Sequence, residues 1–86
     1  MYELTVGENY LVTDVTSVIW VGELVRVDGP HTVILRDAAW VSETGRLHAF
    51  MRDGTTSNME VEPVGTKAVH WASWSPWPHA LFREAV

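Results

Sequence analysis

The chain has 86 residues, no cysteine and a net charge of −5, so it forms one small domain without disulfides. Its four histidines are too scattered for a structural zinc site, and it has no run of Lys or Arg to bind duplex DNA. A small anionic ligand is not excluded, because one or two local arginines can hold it.

Five tryptophans are many for so short a chain. A small core cannot fully enclose them all, and aromatic residues are enriched in subunit interfaces. We therefore expect a homo-oligomer, either a tetramer or another small ring. The N-terminus has no basic region followed by an apolar run, and no apolar stretch reaches the length of a membrane span. The sequence predicts a soluble, cytoplasmic protein that does not engage a membrane.

Three strands are predicted in the first half of the chain, at residues 10–16, 18–28 and 31–41, from runs of β-branched residues. Gly22 lies within the second strand and predicts a bulge or sharp bend, as where a sheet curls into a barrel. Alternation in the third strand predicts one apolar face, with Trp40 off that face. The predicted apolar face comprises Val33, Leu35, Ala39 and Val41.

Residues 37–46, with the sequence DAAWVSETGR, combine acids, an indole, hydroxyls and a guanidinium. Asp37 falls on the predicted apolar face. A buried carboxylate needs hydrogen-bond donors, such as the amides of a loop that folds over it. The stretch therefore indicates a corner between a strand and a helix.

Residues 45–53 have the spacing of apolar side chains that is typical of a helix. Thr44 is the predicted N-cap, and the helix is expected to end at Asp53 and Gly54. The apolar positions of this helix are Leu47, Phe50 and Met51.

Two short strands are predicted after the helix, at residues 59–64 and 67–71. The predicted fold is mainly β: a small five-stranded antiparallel barrel with one short helix inserted between strands 3 and 4. In the tail, residues 71–86, Trp71, Trp74 and Trp77 recur at three-residue spacing, and Pro76 and Pro78 favour a turn or 3₁₀ segment. We expect these tryptophans to form a hydrophobic lid or an oligomer contact.

Two stretches, residues 22–28 (GELVRVD) and 33–38 (VILRDA), resemble the bent second strand and the acid-terminated third strand of a small Sm-like barrel. The resemblance implies an Sm-like architecture. An Sm-like RNA-binding oligomer is a separate hypothesis for the function, and the acidic net charge weighs against it.

Four stretches together are similar to a family of small tailed-phage proteins: residues 10–16 (YLVTDVT), 20–22 (WVG), 37–46 and 60–63 (EVEP). The most specific part is the Asp-Ala-x-Trp…Gly-Arg pattern. The chain also resembles, more distantly, the tetrameric phage sponges that sequester the cyclic-oligonucleotide alarm signals of CBASS defence. The resemblance implies anti-CBASS immune evasion in an infected bacterial host, by nucleotide binding without chemistry and with a cyclic di- or trinucleotide as the ligand.

Trp40 is the first candidate for contact with a ligand. It is either a base-stacking platform, for which stacking contributes about 1–3 kcal/mol, or a subunit contact, or a residue that packs under the inserted helix. Loops at one end of a small barrel tend to converge, so Thr16, Ser17 and Trp20 could join it. Arg36 either lines the same surface or is a solvated strand residue.

Arg46 is the second candidate, at the first turn of the predicted helix. Its guanidinium, the free amides of the helix start and the hydroxyls of Ser42 and Thr44 would make a phosphate pocket. Alternatively, Arg46 forms an ion pair that only fixes the loop, with Asp37 or Glu43.

The complete set of predicted ligand-binding residues is Thr16, Trp20, Arg36, Trp40, Ser42, Thr44, Gly45 and Arg46. The sequence contains no recognisable Ser-His-Asp or Cys-His catalytic motif. The carboxylates of Glu60 and Glu62 form a pair of a kind that exposed strands produce routinely. We therefore expect no enzyme, no cofactor and no metal. The main hypothesis is a homo-oligomeric sponge. The alternatives are a structural or protein-interaction subunit of a phage and the Sm-like RNA-binding oligomer.

Overall fold

The computed structural model describes residues 4–82. Within this range the strands are antiparallel and form a closed ring in the order β1-β2-β3-β4, with one helix between β3 and β4. The same range contains no helix that is long and apolar enough to cross a membrane. The elements are β1 (Asn9–Asp14), β2 (Ile19–Val27), β3 (Thr32–Glu43), α1 (Leu47–Asp53) and β4 (Glu60–Pro76).

The mainly β fold and the position of the helix are confirmed, but residues 4–82 contain four strands rather than five. The two strands predicted at residues 59–64 and 67–71 are parts of the single strand β4. Gly65 does not end the strand, because its positive φ of 80° lets the chain change direction while pairing with β3 continues on both sides.

Strand β4 also closes the ring. Its first part pairs with β3, from Glu43↔Glu60 to Thr32↔His70, and its last part pairs with β1, with Val12 opposite Trp74. The turn or 3₁₀ segment predicted from residue 71 onward is therefore wrong up to Pro76, where β4 ends. Residues 77–82 have irregular structure, and the remainder of the predicted tail lies outside the described residues.

Two hydrophobic cores lie on opposite faces of the curled sheet. Every strand contributes to the first core, so it fills the inside of the ring, and Trp20, Trp71 and Trp74 pack against it. The second core lies outside the ring, under α1 and the tail. The inner core contains Tyr10, Val12, Leu24, Val33, Leu35, Ala38 and Val69, and the outer core contains Leu11, Val21, Val41, Phe50 and Trp77.

An irregularity where Gly22 of β2 faces the segment around Asp37 of β3 decides which face the residues of β3 occupy. The register between these strands shifts at Gly22, which confirms the predicted bulge, and Asp37 has a left-handed backbone with φ 51°. A side chain at Gly22 would lie 2.9 Å from the Cβ of Leu35, so glycine is required by the close approach of the strands.

The single apolar face predicted for β3 is consequently wrong. Leu35 lies in the inner core and Val41 in the outer core, because the chain changes face near Asp37. Asp37 is half-buried rather than buried. Trp40 pairs with Trp20, which packs on the inner core, so Trp40 shares the inner face instead of lying off the apolar side.

Helix α1 begins and ends close to the predicted residues, but its N-cap differs. Arg46 occupies the N-cap position and provides no side-chain cap, whereas Thr44 donates its hydroxyl hydrogen bond to the carbonyl of Gly45. Gly54 ends the helix in a left-handed conformation, as predicted, and donates its N–H to Phe50. Phe50 is buried, while Leu47 is 54% exposed.

The tail holds the outer core together through Trp77, so the substitution Trp77→Ala tests this packing. Trp77 is 2% exposed, its ring lies 5.0 Å from that of Phe50, and its N–H donates to the carbonyl of Ala80. We expect Trp77→Ala to lower the free energy of unfolding by about 3–5 kcal/mol in urea denaturation. Trp40→Ala removes an indole that is 39% exposed and should cost much less; equal losses would contradict the assignment.

Candidate functional site

The turn between β1 and β2 is organised by the carboxylate of Asp14. Its Oδ1 accepts hydrogen bonds from the amide of Thr16 (2.8 Å), the hydroxyl of Thr16 (2.6 Å) and the amide of Val18 (3.0 Å). Its Oδ2 accepts a hydrogen bond from the indole N–H of Trp20 at 3.0 Å. Thr16 therefore serves to build the turn, and Trp20 is fixed by the same carboxylate.

The hydrogen bonds of this network lower the pKa of Asp14. Burial raises the pKa, but the hydrogen bonds from the Thr16 hydroxyl, the Trp20 indole and the two amides outweigh it, and the pKa falls from 3.8 to about 2. The carboxylate is therefore charged at any physiological pH, and it places a negative charge against the N–H edge of the Trp20 ring.

Trp20, Trp40 and Lys67 form what we call the rim surface, at the end of the ring where the β1–β2 turn lies. Trp20 and Trp40 are direct cross-strand neighbours. Lys67 is the cross-strand partner of Leu35, an inner-core residue, so the side chain of Lys67 leaves the backbone on the same inner face. Its Nζ lies 5.1 Å from the centre of the Trp20 ring, within the range of a cation–π interaction.

Lys67 is the member of this surface that the sequence did not reveal. It lies in a short strand segment with no local motif, and only the pairing of β4 with β3 brings it to the tryptophans. A cation two positions from a core residue, Val69, was the single available signal, since alternate strand residues share a face.

An open cleft of about 320 Å³ lies beside Trp40, between the β1–β2 turn and the end of β3. The structure thus brings the predicted residues Trp40, Ser42 and Thr44 together with the first hairpin, although through Ser17 rather than through Thr16. Ser42 donates its hydroxyl to the carbonyl of Glu60 at 3.3 Å. The lining residues are Ser17, Val18, Ile19, Trp40, Val41, Ser42, Glu43 and Thr44.

Gly45 and Arg46 line a second cleft, of about 340 Å³, with α1 and residues 55–58. Gly45 donates its N–H to the Glu43 carboxylate at 2.9 Å, which fixes the corner without help from Arg46. Arg46 is exposed and forms no ion pair with the residues of the described chain. The predicted pairing of Arg46 with Asp37 or Glu43 is therefore not observed. The two clefts adjoin, because Thr44 lines one and Gly45 the other.

Arg36 lies apart from both clefts. Its guanidinium forms an ion pair with Glu23 on the neighbouring strand. Such an exposed pair contributes little to stability, at most about 1 kcal/mol. The structure therefore does not bring Arg36 to the other predicted site residues.

Carboxylates flank the rim surface on one side. Glu62 is the cross-strand partner of Trp40, and Glu43 is the partner of Glu60. These carboxylates repel any anion that approaches Trp40, and the positive charge of Lys67 offsets that repulsion. Residues 4–82 contain no group of three or more His, Asp or Glu side chains that could hold a metal ion.

No known protein family, curated protein or solved structure matches the chain. The similarity to small tailed-phage proteins stays a prediction from the residues quoted above, and so does the selection of ligand-binding residues.

The Asp14 network predicts an acid-dependent loss of stability. Because folding lowers the pKa of Asp14, its stabilising contribution is present above pH 3.8 and is lost as the pH falls through about 2. Asp14→Asn should lower the melting temperature at pH 7. The difference in melting temperature between this variant and the unmodified chain should shrink as the pH falls from 4 to 2. Asp28→Asn, an equal charge change at an exposed turn, serves as the control. A difference that is independent of pH would contradict this role.

Proposed function

We propose that the protein is a non-enzymatic binding protein that captures a cyclic oligonucleotide at the rim surface. The observation that carries the proposal is the exposed Trp40 ring beside Trp20 and Lys67, on one face of the sheet and next to an open cleft. Exposed aromatic rings combined with a cation are the features with which proteins bind single-stranded nucleotides.

The ligand would use both clefts. One base stacks on Trp40, which contributes about 1–3 kcal/mol, and its edge reaches the hydroxyls of Ser17 and Ser42. A cyclic oligonucleotide contains at least two bases and two phosphates, so it can also extend past Thr44 towards the exposed guanidinium of Arg46. Capture of this kind needs no turnover. Sequestration of a CBASS signal by a phage protein is the biological role that this binding would serve.

The oligomeric sponge is part of the same proposal. Trp20, Trp71, Trp74 and Trp77 pack against the two cores, so the number of tryptophans does not by itself require a subunit interface. Among the tryptophans of residues 4–82, Trp40 alone is exposed. A second subunit of a small Sm-like ring could therefore cover the ligand on Trp40 from the opposite side.

Single-stranded RNA is the second candidate ligand, because stacked bases and a backbone phosphate would fit the same two tryptophans and lysine. The two ligands differ in length. RNA binding would strengthen with the number of nucleotides and weaken steeply with salt. A cyclic oligonucleotide, by contrast, would bind with a single affinity that does not increase with chain length. A structural phage subunit, the remaining alternative, would bind neither.

A thermal-shift panel tests the proposal. Cyclic di-AMP, cyclic di-GMP, cyclic GMP–AMP and cyclic tri-AMP are added at high micromolar concentration, and at least one should raise the melting temperature by several degrees. Trp40→Ala should abolish the shift, because the stacking platform is lost. Val27→Ala, at an exposed strand position on β2, is the matched control and should retain it. If no compound stabilises the unmodified protein, cyclic-oligonucleotide capture is excluded at this concentration range.

Removal of the like charge beside Trp40 should improve binding of the same anionic ligand. Glu62→Gln keeps the size of the side chain and removes the negative charge opposite Trp40. We expect calorimetric affinity to rise about 2–5-fold at low salt, an effect that salt should reduce. Asp28→Asn makes the same change in net charge on the β2–β3 turn and should have a smaller effect. Equal gains from both variants would indicate a general charge effect instead of a site at Trp40.

A further inference from the structure

We propose that Lys67 is the phosphate-binding residue of the rim surface and that Trp20 positions it. The inference rests on the proposed function and adds a residue and a role to it. Arg46, the cation that the sequence favours, becomes a secondary contact in the adjoining cleft. The cation–π distance of 5.1 Å and the shared inner face of Trp20, Trp40 and Lys67 support this assignment.

Lys67 is available to a ligand. It is exposed, and the ion pairs found within residues 4–82 involve Arg36 and Arg52 but not Lys67. A lysine ammonium has three donors, and its contact with the Trp20 ring uses the π face without a hydrogen-bond acceptor. The ammonium therefore keeps its donors for phosphate oxygens while the ring limits where it can move.

The space around Lys67 suits an incoming ligand. Ala38 and Gly65 are cross-strand partners between the Lys67 row and the Trp40 row of the inner face. A Cβ built on Gly65 would meet nothing within 4 Å. The lack of a side chain at Gly65 leaves this position of β4 open to a sugar-phosphate, with the base on the Trp40 side and the phosphate on the Lys67 side.

Trp20 is itself fixed in place, which gives Lys67 a defined position. The indole N–H donates to Oδ2 of Asp14, and Asp14 is held by three bonds from the β1–β2 turn. A carboxylate on the N–H edge pushes electron density towards the ring, which strengthens the attraction of its face for the ammonium. The turn, the indole and the lysine thus act as one support, with Trp20 as a positioning residue.

The geometry favours Lys67 over Arg46 for the phosphate nearest the stacked base. Lys67 and Trp40 lie on the same face, whereas Arg46 lines a cleft formed by α1 and residues 55–58. The cleft beside Trp40 has no Lys or Arg among its lining residues, and one of those residues is Glu43. A phosphate attached to a base on Trp40 would therefore meet Lys67 as its nearest cation on that face.

The test is calorimetric titration with the cyclic oligonucleotide that gives the largest thermal shift. Lys67→Gln should weaken binding about 10–100-fold, because a hydrogen bond to a charged group is lost. Lys67→Arg should restore most of the affinity, and binding to Lys67→Gln should depend less on salt. Arg46→Gln, which removes another exposed cation, should weaken binding less. Melting temperatures of all three variants verify that they are folded.

Trp20→Phe separates the positioning role from a structural one. Phenylalanine keeps a ring under Lys67 but loses the N–H to Asp14, so affinity should fall by less than with Lys67→Gln. In the double variant Trp20→Phe/Lys67→Gln the two losses should not add, because both act through the ammonium. Additive losses would overturn the positioning role of Trp20.

The possible results distinguish the two proposals. If the unmodified protein binds a cyclic oligonucleotide and Lys67→Gln binds it equally well, the Lys67 assignment is wrong while the proposed function stands. If Arg46→Gln causes the larger loss, the phosphate lies in the second cleft. If the unmodified protein binds none of the four compounds, the proposed function fails and the assignment of Lys67 fails with it.

Discussion

The paired irregularity at Gly22 and Asp37 is the constraint on which the rest of the structure depends. The strands approach too closely there for a side chain at position 22; the register between β2 and β3 shifts, and β3 changes face near Asp37. The consequence is that one strand can serve two cores, with Leu35 inside the ring and Val41 outside it. It also brings Trp40 level with Trp20, so the candidate site is a product of the bulge.

Much of the fold follows from local sequence patterns, and the remainder does not. The first three strands, the bulge at Gly22 and the glycine that ends α1 could be predicted, because each depends on neighbours in the chain. The change of face at Asp37 could not, since strict alternation gives no sign that an acid adopts a left-handed backbone. The continuity of β4 as one strand could not be predicted for a related reason. Gly65 and the prolines are typical of turns, but pairing with two different strands overrides that tendency.

The candidate site was predicted in part. Trp40, Ser42 and Thr44 do line one cleft, because they follow one another along the end of β3. Arg46 lies in the adjoining cleft and Arg36 is paired with Glu23, so the structure does not bring together the two cations that were selected by side-chain type alone. Lys67 reaches the tryptophans only through pairing between distant parts of the chain, which no local motif encodes.

The pairing of β4 with β1 imposes an order on folding. The hairpins β1–β2 and β2–β3 join neighbouring segments, so they can form while a ribosome is still adding residues. The ring closes only when Trp74 meets Val12, and contacts between such distant segments form slowly. Until then the inner sides of Tyr10 and Leu24 remain open to water and to other chains. The chain is therefore most exposed to aggregation in the interval between the synthesis of β3 and the emergence of the end of β4 from the ribosome.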